Sequence, residues 1–344
     1  MGTTNERIAR IIGAGTRAPS VHNTQPWSVQ VDDERHLTVR ADPSRQLRHC
    51  DPEGREMLIS CGAFLMNLRV AAAHEGLDAY VQLAPDRRDR WLAARVTLST
   101  LAAPGFFDAS LYAAIATRRT ARGAAVTRPV DRADRELLRR AVDLEHAGVV
   151  FLDPRDAARG HLVSTMRRAE ALAVRDQAPL AEDRNWLGVS RERPDGVPVA
   201  ALGGWTDEPI ADPHAALRDE AVGARTFEGN ATSAIITTLG DGPCNWLVAG
   251  QALERMLLVA ATRGIQASVA TRVLENPETR TEIEEAFHLE SRAQMLLRFR
   301  YGTGAPSTPR RDVDDVTGPS PVADVHPHDQ SPAGGRQLAG RSRA

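Results

Sequence analysis

Lysine is absent from this 344-residue chain, so all 43 basic residues are arginine. Codon bias in a GC-rich genome accounts for that, but the consequence is chemical: any bound anion must be met by arginine, histidine or backbone N–H groups. Cysteine is scarce too. Cys50, Cys61 and Cys244 are an odd number, far apart and without a C-x-x-C pair. That argues against a disulfide scaffold or a zinc site and for reduced thiols in a cytoplasmic setting. The net charge is only −2, and nothing in it draws the chain to nucleic acid or an anionic membrane. No apolar run approaches the ~20 residues of a membrane span, and the polar N-terminus lacks the apolar stretch of a signal peptide. What remains is the expectation of a soluble, cytoplasmic globular protein. Its composition is 42% hydrophobic and 26% charged, with enough length for two modest cores or one large one.

Helical and strand patterns alternate along the chain. Apolar spacing predicts a first helix from Glu6 to about Thr16, with Ile8, Ile11 and Ile12 on one face and Asn5 as its cap. Residues 27–31 and 36–40 alternate apolar and polar around Asp32-Asp33-Glu34, a solvated hairpin tip. Further helices are expected over about 55–75, 111–117, 132–144, 154–181 and 245–263. Strands are expected near 79–83, 91–98, 148–152, 231–239, 266–270 and 294–301. The proline-rich stretch 179–213, with Trp186 and Trp205, is too long for an ordinary connection and reads as a lid. From 318 the chain is rich in Pro, Gly, Ser and charge, the composition of a disordered tail in which His326-Pro327-His328 is solvated coil.

An internal repeat organises these elements. Residues 62–79 align with 250–267 at a constant offset of 188 without a gap; Gly62/Gly250, Leu65/Leu253, Ala72/Ala260, Ala73/Ala261, Gly76/Gly264 and Ala79/Ala267 are identical. Both copies space small and apolar residues at three and four, end on glycine and pass into a strand. Chance matching of alanine-rich helices would not keep that ending at the same position. Duplication is the better reading, giving two halves packed helix to helix.

Two segments carry recognisable chemistry. In the loop 18–27, Ser20, Asn23, Thr24 and Gln25 lie between Pro19 and Pro26. Ser20 alone would do no more than satisfy its own turn. The ten residues together suit a polar planar ligand, since Asn and Gln each offer a donor and an acceptor, as the edge of a flavin ring requires. In 117–123, Arg118, Thr120 and Arg122 alternate, so an extended backbone aims two guanidinium groups and a hydroxyl to one side, with Arg119 between them. That arrangement can grip a phosphate; it would equally serve as a solvated basic run. Pro309-Arg310-Arg311-Asp312 is a third, weaker basic cluster. For His22 the expected role is an imidazole bonded to backbone.

Together these segments resemble the nitroreductase superfamily and, within it, the mycobacterial Acg-like branch, over most of residues 5–317. Pro19-Ser20-x-x-Asn23-x-Gln25-Pro26-Trp27 resembles the family's FMN-contacting loop. Arg118-Arg119-Thr120-x-Arg122 resembles its phosphate-holding Arg-x-Ser-x-Arg/Lys segment, with threonine keeping the hydroxyl. Arg310 and Arg311 stand where the family has a basic pair that also reaches the phosphate. The resemblance implies an α+β tandem nitroreductase-like fold, with two fused halves forming an intramolecular pseudo-dimer. The first half would cover 1–110, the second 111–317 with its lid at 179–213, and the tail 318–344. It implies a monomer with one FMN built across the halves, because Glu145-His146-Ala147-Gly148 stands where a second Pro-Ser loop is expected. The implied activity is electron transfer from NAD(P)H through FMN to nitro-aromatic or quinone-like acceptors. The alternatives are FMN sequestration with little turnover, or a tailoring dehydrogenase using oxygen as acceptor. The flavin carries such chemistry, so no side chain is assigned as catalytic.

Overall fold

The structure, a computed structural model, describes residues 4–100, 109–122, 129–152, 158–202, 232–302 and 306–318. It begins with helix α1 (Thr4–Gly15), the hairpin β1 (Trp27–Val31) and β2 (His36–Ala41), the long helix α2 (Arg55–His74), and strands β3 (Leu77–Leu83) and β4 (Leu92–Thr100). A short helix α3 (Tyr112–Thr117) leads into a second series: α4 (Arg132–Asp143), β5 (Gly148–Leu152), and, beyond an insertion, β8 (Thr232–Thr238), the long helix α7 (Pro243–Thr262) and β9 (Ile265–Val269). The insertion carries α5 (Ala158–Arg175), α6 (Gln177–Trp186) and the short parallel pair β6 (Leu187–Val189) and β7 (Val197–Pro198). After β9 come α8 (Arg272–Glu275), α9 (Pro277–Ala286), β10 (Arg292–Tyr301) and a closing turn of helix, α10 (Val313–Val316).

The two principal sheets have the same plan. One runs β1-β2-β4-β3 and the other β5-β8-β10-β9, with every neighbouring pair antiparallel. In each, the second strand in sequence is followed by a 20-residue helix and then by the edge strand. The main core is a continuous apolar cluster drawn from both sheets and both long helices, and a second, smaller one packs α5, α8 and α9 against the second sheet. Helix α2 is long and apolar enough to cross a membrane by length and composition, but 83% of its most apolar stretch is buried inside the protein. It is a core helix.

Helices α2 and α7 cross where backbone meets backbone. A Cβ on Gly62 would lie 2.2 Å from the Leu247 carbonyl oxygen, and one on Gly250 would lie 2.0 Å from the Ile59 carbonyl oxygen. Each glycine also faces the other's Cα. The offset of the repeat, 188, relates Gly62 to Gly250 and Ile59 to Leu247 alike. The contacts therefore exchange under it, residue i touching j and the counterpart of i touching that of j, as at a two-fold interface. Only glycine fits at such a crossing.

The sequence expectations hold closely for the strands and for both long helices. Three local ones need correction. Asn5 lies inside α1 rather than at its cap. The helical stretch expected over 154–181 is two helices, because Asp176 caps α6 by accepting from the Ala178 N–H and Pro179 has no N–H to continue the preceding turn. Helices α8 and α9 were not anticipated, although Asn276 and Pro277 form a recognisable start: the Asn276 side chain accepts from the Glu278 and Thr279 N–H groups. All three cysteines are free, Cys50 and Cys61 buried and Cys244 exposed. Past Gly318, the expected tail with its histidines lies outside the described residues, as does the Trp205 part of the lid.

Candidate anion-binding site

Three distant segments converge beside the start of the 18–27 loop. The backbone leaving α3 runs extended along β9, where Thr120 bridges Ala267 and the Ala121 N–H donates to the Ala267 carbonyl at 2.8 Å. The arm 306–318 crosses to the first sheet, where Thr317 bridges Val29 on β1. The last turn of α1 supplies Gly13, and Thr16 and Arg17 follow it. Together they enclose a cavity of about 460 Å³ whose wall includes Arg17, Arg118, Arg119, Thr120, Arg122, Arg310 and Arg311. Six guanidinium groups line it against a single carboxylate, Asp312, whose side chain is occupied in a capping box on α10.

The arginines are unequally occupied. Arg310 Nη1 donates to the Asn23 Oδ1 at 2.9 Å and the Thr308 Oγ1 at 2.6 Å, and its Nη2 donates to the Arg17 carbonyl at 3.2 Å. Arg118 Nη2 also donates to the Arg17 carbonyl, at 3.0 Å. Yet Nε and Nη1 of Arg118 and Nε of Arg310 are buried without a hydrogen-bond partner. Arg119 is spent locally, its Nη1 donating to the Ala116 and Arg118 carbonyls. The Arg311 N–H donates to Gln25 Oε1 at 2.8 Å and its Nη1 to the Gln25 carbonyl at 3.2 Å.

Crowded like charges leave a mark on acidity. Burial, and behind it the Arg118 charge, lowers Arg122 to about 10. Burial and the charges of Arg118 and Arg17 push Arg310 well down from its usual value. Behind the wall, Glu254 on α7 is fully buried, its Oε1 3.2 Å from Arg118 Nε but out of hydrogen-bond alignment. Burial raises Glu254 to about 7, against the pull of Arg118, the Asn67 amide and Arg310. Unmatched buried donors among repelling cations make a site that favours an incoming anion.

The loop itself is strained, and its Asn23 and Gln25 amides are engaged. His22, Asn23 and Gln25 have φ of 45°, 57° and 49°, a left-handed conformation that costs non-glycine residues of order 1 kcal/mol each. Ser20 Oγ accepts from the Gln25 N–H at 3.0 Å, closing the turn. The insertion straps the loop from outside. Asn23 Nδ2 donates to the Gly196 carbonyl at 2.8 Å, Gln25 Nε2 to the Pro194 carbonyl at 2.9 Å, and Arg45 Nη1 to both the Thr24 carbonyl and Asp195 at 2.8 Å. His22 is bonded not to backbone but to a side chain, its Nε2 lying 2.9 Å from Asp183 Oδ1 on α6. Arg272 on α8 donates to the other oxygen of Asp183.

The structure thus brings the expected Arg118, Arg119, Thr120, Arg122, Arg310 and Arg311 to one cavity, with Asn23 and Gln25 bracing the arm that carries the last two. Pro19 and Ser20 stand in the same loop, away from the cavity wall. Sequence reading missed Arg17 and Glu254. Arg17 carried a signal, since it directly precedes the proline loop; Glu254 carried one as a lone acid in the apolar run Leu253–Leu258. Among the described residues no cluster of three metal-ligating side chains occurs.

Buried acids also set a pH dependence. Glu254, raised to about 7, and Asp51, raised to about 6 by burial and then by Glu56, keep protons in the folded protein that the unfolded chain releases near pH 4. Between pH 5 and 7.5 the folded state binds more protons, so stability is expected to fall as pH rises, by up to about 1.4 kcal/mol per unit per group. Asp241 does not offset this: burial favours its proton, but hydrogen bonds from Arg280, Trp246 and Gln294 prevail and hold it near 2, so its contribution is lost only at lower pH. Thermal melts across this range should show a declining midpoint, and a rising one would contradict the assignment.

No family model matches the chain. Among curated proteins it is similar to "Putative NAD(P)H nitroreductase Rv3131" of Mycobacterium tuberculosis, 32% identical over 330 residues that cover 90% of this chain and 91% of the relative. It is similar to "Putative NAD(P)H nitroreductase acg" of the same organism at 28% over 327 residues, covering 91% and 96%. Among solved structures, the FMN-dependent nitroreductase NfnB from Mycobacterium smegmatis in complex with NADPH aligns at 17% identity and a TM-score of 0.40, covering 59% of this chain and 94% of that one. A Bacteroides fragilis nitroreductase with bound FMN aligns at 14% and 0.34, covering 58% and 92%. With about a third of its residues shared along nine-tenths of both sequences, the chain belongs to the NAD(P)H nitroreductase family, in its Acg-like branch.

Proposed function

We propose that this protein is an FMN-dependent oxidoreductase that takes electrons from NAD(P)H and passes them to nitro-aromatic or quinone-like acceptors. The observation that carries the reading is the arginine-lined cavity with buried, unpartnered donors on Arg118 and Arg310, which fits the phosphate of a flavin mononucleotide. Arg118, Thr120, Arg122, Arg310 and Arg311 would hold that phosphate. Pro19, Ser20, Asn23 and Gln25 complete the proposed site, the last two by fixing the arm behind Arg310 and Arg311. When bound, FMN would supply the redox chemistry by accepting hydride; the chain supplies grip, orientation and exclusion of water.

In this reading residues 1–110 and 111–317 are fused halves of a monomeric pseudo-dimer, with a tail at 318–344, and the flavin lies across them. The matched strand orders and the exchanged contacts of Gly62 and Gly250 support it. A single site follows from the second half. Glu145 stands there after α4 as Arg17 stands after α1, and its carboxylate accepts from Arg255 Nε and Arg69 Nη1, both at 2.6 Å. Those guanidinium groups already hold an acid of the chain itself.

A second reading, FMN sequestration with little turnover, is favoured by the strap. Residues 183–196 lie against the 22–25 loop and occupy the Asn23 and Gln25 amides, which narrows the approach to anything seated beside that loop. One experiment separates the two. Purified protein supplied with FMN should retain it near one per chain, with a flavin absorbance band. Anaerobic NADPH should then bleach that band within seconds if the protein is a reductase. Retained FMN that stays oxidised would favour sequestration. A colourless protein after FMN addition would refute both.

A further inference from the structure

Glu254 is a buried acid for which a phosphate grip has no evident use. It has no exposed surface, and its nearest charge is the Arg118 guanidinium, itself only 4% exposed, with Nε 3.2 Å from Glu254 Oε1 and Nη1 without a hydrogen-bond partner. The groups that face it are few. Arg118 approaches from the segment after α3, Arg310 from the arm 306–318, and the uncharged amide of Asn67 from α2. On its own helix, Arg255 turns away to Glu145 and Gln251 accepts from Arg69. Arg17 and Arg122 stand one step further off, against Arg310. His22, in the adjoining loop, is directed to Asp183.

We propose that Glu254 is the built-in counter-anion of the cavity, pairing with Arg118 when no anion is held and taking a proton from solvent when a phosphate dianion enters. This rests on reading the cavity as a phosphate grip. The physical reason is that Arg118 cannot serve both partners. A dianion held by Arg118, Arg122 and Arg310 withdraws the positive field that keeps Glu254 charged and adds a negative one beside it. Glu254 is fully buried, where bulk solvent screens the repulsion least, and the carboxylate gives way by protonation. Its pKa, already near neutral from burial, moves further up on binding. Anion affinity is then highest where Glu254 is already protonated and declines as pH rises past 7.

Sulfate is the suitable probe, because it stays a dianion across this range whereas a phosphate ester titrates near pH 6. Sulfate binding to the full chain is measured by calorimetry from pH 5.5 to 8.5, in two buffers of different ionisation enthalpy. The expected result is uptake of close to one proton per sulfate above pH 7, with affinity falling by up to about tenfold per pH unit. In Glu254→Gln the pH dependence should flatten, and affinity at pH 8 should match that of the wild type at pH 6. A pH-independent wild type, no proton uptake, or an unchanged slope in Glu254→Gln overturns the proposal. The buffer comparison needs only wild-type protein, so it decides the matter even if the variant fails to fold. If folded wild type binds neither sulfate nor FMN, the phosphate-grip reading falls and this proposal with it. FMN binding without proton linkage to sulfate overturns the role of Glu254 alone.

Discussion

Gly250→Ala is expected to cost more stability than almost any other single methyl group added to this protein. The new Cβ would lie 2.0 Å from the Ile59 carbonyl oxygen and 2.8 Å from the Gly62 Cα. Neither neighbour is the end of a flexible side chain. Relief therefore requires α2 and α7 to move apart along the line where both bury nearly their whole length. Separating two packed helices forfeits dispersion and apolar burial over many residues at once, so the loss should exceed about 4 kcal/mol, beyond the usual range for point substitutions. Gly62→Ala should behave alike, its Cβ meeting the Leu247 carbonyl at 2.2 Å. Gly160→Ala provides the control: it lies within α5 with nothing inside 4 Å of the added carbon, and there alanine should stabilise by about 0.5–1 kcal/mol. Urea denaturation of the three variants tests the set. A Gly250→Ala protein with a wild-type midpoint would show that the helices do not cross this closely.

The sequence made that crossing legible only because the chain carries its own comparison. The constant offset of 188 marks Gly62 and Gly250 as equivalent, and two equivalent glycines amid apolar helix have few uses other than close approach. Strands were legible for a local reason: period-2 alternation and turn residues flank β1 and β2, and the short apolar run of β5 is bounded by Gly148. The arginine-lined cavity was only half legible. Arg118-x-Thr120-x-Arg122 and Arg310-Arg311 could be read as basic clusters, but their meeting with Arg17 depends on the arm 306–318 crossing back to β1, which lets Arg310 reach Arg17 across 293 residues. Hydrogen-bond capacity alone could not name the partners of Asn23 and Gln25. The residue types suggested a ligand edge, whereas both amides are engaged by the strap and the arm. Composition states what a side chain can bond; only the fold decides which partner arrives.

Arg118→Ala is expected to abolish FMN retention, weakening binding by at least about a hundredfold. Arg118 lines the cavity with Nη1 buried and unpartnered and Nε facing only the Glu254 carboxylate at 3.2 Å, while Nη2 is anchored to the Arg17 carbonyl, so the guanidinium is fixed before any ligand arrives. Each charge-assisted bond to a phosphate oxygen contributes about 1.5–3 kcal/mol, and two of them correspond to about 10²-fold or more in affinity. Arg118→Lys keeps the charge but not the planar fork, and should retain FMN at an affinity between the two. Arg119→Ala separates position from charge: it removes a neighbouring cation whose Nη1 is already committed to two backbone carbonyls, and should weaken binding only a few-fold. Removing Arg118 also strips Glu254 of its counter-charge. Protonation of that acid, already favoured by burial, should let the fold survive, so lost binding can be told from lost structure by thermal melts on the same samples. Quenching of FMN fluorescence on titration gives the affinities. An Arg118→Ala protein that binds FMN as tightly as the wild type would place the phosphate elsewhere.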